Sequence, residues 1–80
     1  MRYRMMRLMI MFDLPVDTAD ERREYRQFRK RLINEGFLMI QYSVYERVCV
    51  SRKTATFLEN RIKSFLPTSG VVQSLMVTEK

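Results

Sequence analysis

The sequence contains no histidine, no tryptophan and a single cysteine, and these absences narrow the chemistry that is open to the chain. Without histidine, imidazole acid–base catalysis, catalytic triads and the usual transition-metal sites are excluded from this chain. The single cysteine, Cys49, excludes an internal disulfide framework and cysteine-rich zinc sites. It lies in an apolar run, which predicts a buried, unreactive thiol. Carboxylates, carbonyls and water remain as metal ligands, and they favour magnesium or manganese.

Long hydrophobic runs are also absent. No stretch reaches the ~20 apolar residues that span a bilayer, and Arg7 interrupts the first apolar segment. Asp13 and Pro15 follow where a signal peptide would have its cleavage region. We therefore expect a cytoplasmic protein that does not associate with membranes. Its 80 residues predict one small domain, residues 1–80, with a thin core.

Positive charge is what the chain has in excess. Fifteen Lys and Arg residues face nine Asp and Glu residues, which gives a net charge of +6, and most of the cations are arginine. The arginine fork donates two hydrogen bonds to one phosphate, so a nucleic acid is the expected partner. The alternative is that this charge serves only solubility.

The first half of the chain predicts a strand and then a helix. Both alternating sets of residues in the stretch 3–12 become apolar towards its end, as in a central strand that is covered on two sides. Thr18 and Glu21 have the spacing of a capping box, so a helix should run over residues 19–34. Gly36 suits the left-handed position just beyond the end of that helix.

The second half predicts two strands, a helix and a final strand. Residues 37–45 and 48–50 are rich in strand-forming side chains, and we expect the two strands to meet at a bend within residues 43–47. A second helix should begin within residues 51–54 and end at Pro67. Its apolar stripe includes Phe65, and residues 71–77 form the last strand.

This order of elements predicts an α+β, ferredoxin-like βαββαβ fold, with both helices on one face of a four-stranded antiparallel sheet. Two helices cover one face only. Apolar residues on the other face, such as Met5, Met9 and Met11, then need a second cover. A symmetric homodimer joined through the sheets would supply it.

Asp13 is the candidate functional residue, because it is the only acidic residue in the first sixteen positions and follows an apolar strand. It either recruits a hard metal ion beside a phosphate backbone or caps the turn ahead of Pro15 through hydrogen bonds to nearby amides. The residues alone leave both possibilities open.

Two motifs resemble a known family. A strand ending in Ile-Met-Phe-Asp-Leu-Pro (residues 10–15), a basic first helix, and Gln-Tyr-Ser-Val-Tyr-Glu (residues 41–46) are similar to the family of the second CRISPR-associated protein. Members are small ferredoxin-like homodimers that partner the CRISPR integrase in spacer acquisition. Several are described as magnesium-dependent endonucleases that cleave single-stranded RNA or double-stranded DNA, and others as structural spacers that hold duplex DNA.

The resemblance implies a specific role for Asp13, because the aspartate that ends the first strand in this family acts from both protomers on a shared cleft. Asp13 would then be the catalytic residue and would bind Mg²⁺, or Mn²⁺, together with the Asp13 of the partner protomer. Members often carry a further C-terminal strand that crosses onto the partner's sheet. This sequence ends at Glu79-Lys80, so the resemblance implies either a shortened C-terminus or a dimer that is completed differently.

Other residues are weaker candidates for binding nucleic acid. Arg22, Arg23 and Arg26 near the start of the first helix can contact phosphates, or they can form a solvated helix face. Ser43 can donate to a phosphate or to Asp13, or it can simply form the bend. The aromatic side chains of Phe37, Tyr42 and Tyr45 can stack on nucleic-acid bases, or they can pack in the sheet or at the dimer contact.

Three other functions remain as alternatives. A non-catalytic scaffold would hold DNA between integrase dimers with the same residues. An RNA-recognition module of this topology needs glycine and aromatic residues in its third strand, whereas residues 47–51 read Arg-Val-Cys-Val-Ser. An interferase-type toxin of similar fold is the third alternative.

Overall fold

The computed structural model describes residues 5–78. It contains four strands and two helices in the predicted order. The elements are β1 (Met6–Asp13), α1 (Ala19–Asn34), β2 (Leu38–Gln41), β3 (Val44–Cys49), α2 (Arg52–Lys63) and β4 (Val71–Thr78). The sheet has the strand order β2-β3-β1-β4, and every neighbouring pair is antiparallel. The predicted ferredoxin-like α+β fold is confirmed.

Strand β1 lies at the centre of the fold. The prediction began it at Tyr3, which lies outside the described residues; the strand runs one residue beyond Phe12 and includes Asp13. Met6, Leu8, Ile10 and Phe12 are buried beneath the helices, whereas the residues between them are half-buried. This alternation follows from the pleat of a strand, which sends successive side chains to opposite faces.

Helix α1 has the predicted bounds because its local signals agree. The Thr18 hydroxyl accepts from the Glu21 amide at 3.1 Å, and the Glu21 carboxylate accepts from the Thr18 amide at 2.9 Å. This is a complete capping box. Beyond the helix end, Gly36 takes a φ of +91°. The helix contributes Phe28 and Leu32 to the core.

Helix α2 begins as predicted and ends earlier. Ser51 caps it by accepting a hydrogen bond from the Thr54 amide at 3.2 Å. The helix stops at Lys63, so the prediction that Pro67 ends it was wrong. Phe65 therefore packs against the core from the turn after the helix, where it lies 5.8 Å from the Phe28 ring. An apolar residue at helical spacing can reach the core without being helical.

The bend between β2 and β3 lies at the start of the expected window. Tyr42 and Ser43 form the turn, and the rest of the expected window, residues 44–47, belongs to β3. Ser43 takes a left-handed φ of +62°. The register also shifts between Met39 and Gln41, as at a β-bulge.

The two faces of the sheet are covered unequally. One continuous core joins the buried residues of β1 and β3 to those of both helices. On the other side, which we call the open face, the described residues place no helix. Its residues, assigned by strand alternation and register, are Arg7, Met9, Met11, Asp13, Leu38, Val44, Glu46, Val48, Val71, Gln73, Leu75 and Val77. Neither helix of the described part of the chain has the length and apolar character needed to cross a membrane.

Candidate functional site

Asp13 lies at the last position of β1, exposed to solvent on the open face. It is opposite Val71, the first residue of β4. Among residues 5–78, its carboxylate accepts no hydrogen bond, so the alternative of a turn cap held by nearby amides has no support. As far as residues 5–78 show, the carboxylate is therefore available to a ligand.

The backbone of Asp13 is fixed by a close approach of the chain. Gly70 precedes β4 with a φ of +93°, and a Cβ placed there would lie 2.6 Å from the Asp13 carbonyl oxygen. The same Cβ would lie 2.8 Å from the Leu14 side chain. Only glycine satisfies both the conformation and the space. The turn before β4 therefore sets the position of the residue that ends β1.

Phe12 anchors the same strand end from the core side. Its ring makes edge-to-face contacts with Phe28 at 5.2 Å and Tyr25 at 5.7 Å, and it stacks on Tyr45 at 5.7 Å. Aromatic pairs with these geometries add stability beyond the area that they bury. Asp13 thus follows a residue that is held on several sides.

A cleft of about 260 Å³ opens beside Asp13. It is lined by the end of β1, the β2–β3 turn and the start of β4, with residues Met11, Phe12, Asp13, Tyr42, Ser43, Val44, Val71 and Gln73. Asp13 is the only carboxylate among these residues. The cleft therefore combines one acidic group with apolar and aromatic walls.

Ser43 builds the turn instead of facing Asp13. Its carbonyl accepts from the Phe12 amide at 3.1 Å, which joins the turn to the end of β1. Its hydroxyl is 3.2 Å from the Tyr25 hydroxyl. Ser43 therefore forms the bend, and the alternative of a hydrogen bond to a phosphate stays a prediction, since Ser43 also lines the cleft.

The three candidate aromatic residues separate into two groups. Phe37 and Tyr45 are each 1% exposed and pack in the core, and the Tyr45 hydroxyl accepts from the Arg29 guanidinium at 2.7 Å. Tyr42 is 80% exposed, and its ring stacks on Tyr25 with a centroid distance of 6.3 Å and an angle of 24°. Base stacking is therefore excluded for two of the three and remains open to Tyr42.

The environment of Tyr42 raises the pKa of its hydroxyl. Hydrogen bonding with Tyr25, and then charge repulsion from it, raise this pKa, while the Arg29 guanidinium acts in the opposite direction. The Tyr42 side chain is uncharged at neutral pH, as that of an ordinary tyrosine is.

The predicted arginines lie on α1 and not in the cleft. Arg22 donates to the carbonyls of Val16 and Asp17 at 3.1 and 3.0 Å, and so holds the loop ahead of the helix. Arg23 pairs with Asp20 at 3.3 Å. Arg26 is exposed. None of the three lines the cleft.

No set of three or more His, Cys, Asp or Glu side chains within residues 5–78 is arranged to hold a metal ion. Within the part of the chain that the structure describes, Asp13 is the one carboxylate that lines the cleft. Cys49 plays no part here: it is buried as predicted, and burial raises the pKa of its thiol.

Sequence reasoning missed the contribution of β4 and the special position of Tyr42. Val71 and Gln73 join the cleft because β4 pairs with β1 in a register that no short-range pattern reveals. Gly70 was a usable signal, because a glycine directly before a strand marks a turn or a close approach.

Comparison with known proteins is consistent with this geometry. A family model described as "CRISPR associated protein Cas2" matches residues 6–80. A protein of Ligilactobacillus salivarius named "CRISPR-associated endoribonuclease Cas2" is 73% identical over 75 residues, which are 94% of this chain and 74% of the relative.

Two further proteins carry the same name. The one from Lacticaseibacillus rhamnosus is 65% identical over 92% of this chain and 73% of its own length. The one from Streptococcus mutans UA159 is 47% identical over 94% of this chain and 69% of its own length. These names agree with the sequence prediction of a CRISPR-associated nuclease. On the match of the family model and the identity to these relatives, the chain belongs to the CRISPR-associated Cas2 family.

Proposed function

We propose that the protein is a homodimeric endonuclease of CRISPR adaptation, in which Asp13 from each protomer forms one metal-dependent site. The observation that carries this proposal is the exposed Asp13 carboxylate, without a hydrogen-bond partner among residues 5–78, in a cleft at the edge of a mostly apolar face. The relatives' name supports RNA as a substrate. Double-stranded DNA is the other substrate that we propose.

The homodimer is supported by the character of the open face. Leu38, Val48, Leu75 and Val77 are large apolar side chains that remain exposed there, and contiguous apolar surface is a common mark of an interface. One ion pair interrupts it: Arg7 lies 3.2 Å from Glu46. Packing two such faces around a two-fold axis buries the apolar residues of both chains.

The same symmetry brings two carboxylates to one metal site. Magnesium keeps several water ligands and needs only one or two protein carboxylates, so a pair of Asp13 side chains fits its requirements, whereas one chain alone supplies half of the pair. When bound, the ion supplies Lewis-acid polarisation of a phosphoryl oxygen and a more acidic water. A chain without histidine can carry out this chemistry because no imidazole base is needed.

The chain's own residues would hold the substrate by its backbone. Arg26, which is exposed on α1, offers a guanidinium to phosphates. Arg22 and Arg23 can add theirs by exchanging their present exposed partners for a phosphate. Such contacts position a nucleic acid without reading its sequence. The CRISPR integrase is the protein partner that we propose, by analogy with the family.

The test compares the wild type with Asp13→Asn on labelled single-stranded RNA and duplex DNA, with magnesium, manganese or a chelator. We expect cleavage that needs the metal and that falls at least ~100-fold in Asp13→Asn, because the substitution removes both carboxylates of the dimer site. Nucleic-acid binding should be retained. Asp17→Asn is the matched control, since it removes an equally exposed carboxylate outside the cleft.

Equal cleavage by the wild type and Asp13→Asn would overturn the proposal and indicate a contaminating nuclease. An absence of cleavage by either protein, with salt-sensitive duplex binding intact, would favour the DNA-holding scaffold. The arginine-rich composition favours that second function, because it needs backbone contacts and no carboxylate.

A further inference from the structure

We propose that Tyr42, supported from behind by Tyr25, is a stacking platform for an unpaired nucleobase in the cleft beside Asp13. This inference rests on the proposed function, and it identifies which aromatic side chain contacts the substrate. It implies that single-stranded segments bind this cleft better than an intact duplex does.

The first argument is the exposure of the ring. An aromatic side chain that is 80% exposed buries little of its apolar surface and adds little to the core. A single exposed aromatic residue is unremarkable by itself. Tyr42 differs from the exposed Phe57 of α2 because it lines the same cleft as Asp13.

The second argument is that the ring is held in place. Tyr42 lies nearly parallel to Tyr25 at 6.3 Å, and Tyr25 in turn contacts the buried Phe12 edge-to-face at 5.7 Å. The Tyr25 hydroxyl also lies 3.2 Å from the Ser43 hydroxyl of the same turn. A column of aromatic rings therefore runs from the core to the surface. A fixed ring loses less conformational entropy when a ligand stacks on it.

The third argument is the charge around the platform. Arg29 is anchored on the Tyr45 hydroxyl at 2.7 Å, and its charge lowers the pKa of Tyr42. A guanidinium whose charge reaches an aromatic surface suits a nucleotide, whose base stacks while its phosphate meets the cation. Stacking needs a base whose face is free, which single strands, loops and ends provide and a continuous duplex does not.

The experiment measures binding in a chelator, so that cleavage does not interfere. Three proteins are compared: the wild type, Tyr42→Ala and Tyr42→Phe. The probes are a labelled oligouridine strand, an abasic strand of the same length and charge, and a duplex. We expect Tyr42→Ala to weaken oligouridine binding by about tenfold, with abasic and duplex binding changed by less than about twofold. Tyr42→Phe should bind like the wild type, because stacking requires the ring and not the hydroxyl.

Phe57→Ala is the matched control, since it removes an exposed aromatic ring outside the cleft, and it should leave all three affinities unchanged. A second readout uses the wild type alone: a strand containing 2-aminopurine should lose fluorescence on binding as the base stacks, and the loss should disappear in Tyr42→Ala. Circular dichroism and light scattering establish that each variant is folded and has the wild-type oligomeric state.

The inference is overturned if Tyr42→Ala binds oligouridine as tightly as the wild type, or loses affinity equally for the abasic strand. Dissociation of the oligomer in Tyr42→Ala would also overturn it and make Tyr42 a subunit contact. The outcomes for Asp13 are separate. Cleavage that depends on Asp13 with no effect of Tyr42 leaves the nuclease proposal standing alone, whereas base-dependent binding without cleavage leaves only the platform.

Discussion

The helix-covered face and the open face of the sheet are built from the same strands, yet their side chains differ in burial. On the covered face, Leu8 and Ile10 of β1 are almost fully buried within a core that joins β1 and β3 to both helices. On the open face, Leu75 keeps 48% of its surface exposed and Asp13 has no hydrogen-bond partner among residues 5–78. The covered face contains what the fold needs in order to form. The open face contains the exposed apolar side chains and the carboxylate on which the proposed dimer and metal site depend.

The largest effect is expected from a charge placed on the open face, which tests whether this face forms the contact between subunits. Leu75→Lys would place an unpaired charge from each protomer within the proposed contact between the two open faces, which costs several kcal/mol at a buried interface. We expect the dimer to weaken by at least ~100-fold, as measured by sedimentation at several protein concentrations. The thermal stability of the isolated protomer should change by less than about 0.5 kcal/mol, because the site is exposed within one chain.

Phe57→Lys is the control for that experiment, because it replaces an apolar side chain on α2 that is 65% exposed, more than Leu75, and should leave the dimer intact. A Leu75→Lys protein that associates as tightly as the wild type would show that the open face is not the contact between subunits.

The second prediction compares the two faces through truncation. Leu8→Ala removes a side chain that is 0% exposed, so it should lower the free energy of unfolding by about 2–5 kcal/mol. Val48→Ala on the open face should cost less than about 1 kcal/mol within one protomer, because much of that side chain is already in water. Both values come from urea unfolding in the Leu75→Lys background, where subunit association does not contribute. Equal losses at the two positions would contradict the division into a covered and an open face.

The third prediction concerns the turn that holds Asp13 at the end of the open face. Gly36→Ala and Gly70→Ala both place a side chain at a φ near +90°, which costs about 1–2 kcal/mol in either case. At Gly36 the new Cβ meets only the flexible Arg47 side chain at 3.4 Å, whereas at Gly70 it meets the Asp13 carbonyl at 2.6 Å. We expect Gly70→Ala to be less stable than Gly36→Ala by a further ~1–3 kcal/mol.

Cleavage provides a second readout for this pair. Gly70→Ala should lose activity because the end of β1 must move, while Gly36→Ala should keep the activity of the folded protein. Identical stabilities for the two variants would mean that the close approach of Gly70 to Asp13 has no energetic consequence.

The sequence predicted the fold best where several local signals agreed. Helix α1 has a capping box at Thr18 and Glu21, an apolar stripe and Gly36 beyond its end, and its bounds were predicted to the residue. The β2–β3 turn lacked such signals: Ser43 adopts a left-handed conformation that few non-glycine residues take, and no Asn-Gly pair marked the position. The expected window, residues 43–47, therefore includes Ser43 of the turn but extends four residues into β3.

The candidate site was predictable only in part. Asp13 stands out as a lone carboxylate after an apolar run, but the cleft around it depends on how β4 pairs with β1. Tyr42 is exposed because it lies in the irregular turn, whereas Tyr45 is buried because it lies in β3. Strand alternation is lost at such a turn, so the sequence could not separate an exposed ring from a buried one.

Strand β4 has a consequence for how the protein must be handled. It forms one edge of the sheet within residues 5–78, and its eight residues, Val71–Thr78, contain neither a charged side chain nor proline. Charges, proline and bulges are the usual features that keep an edge strand from pairing with foreign chains. With none of them in place, β4 is the predicted starting point for self-association into extended sheets. Aggregation during purification should therefore begin along this strand. A single lysine substituted into β4 should slow this aggregation.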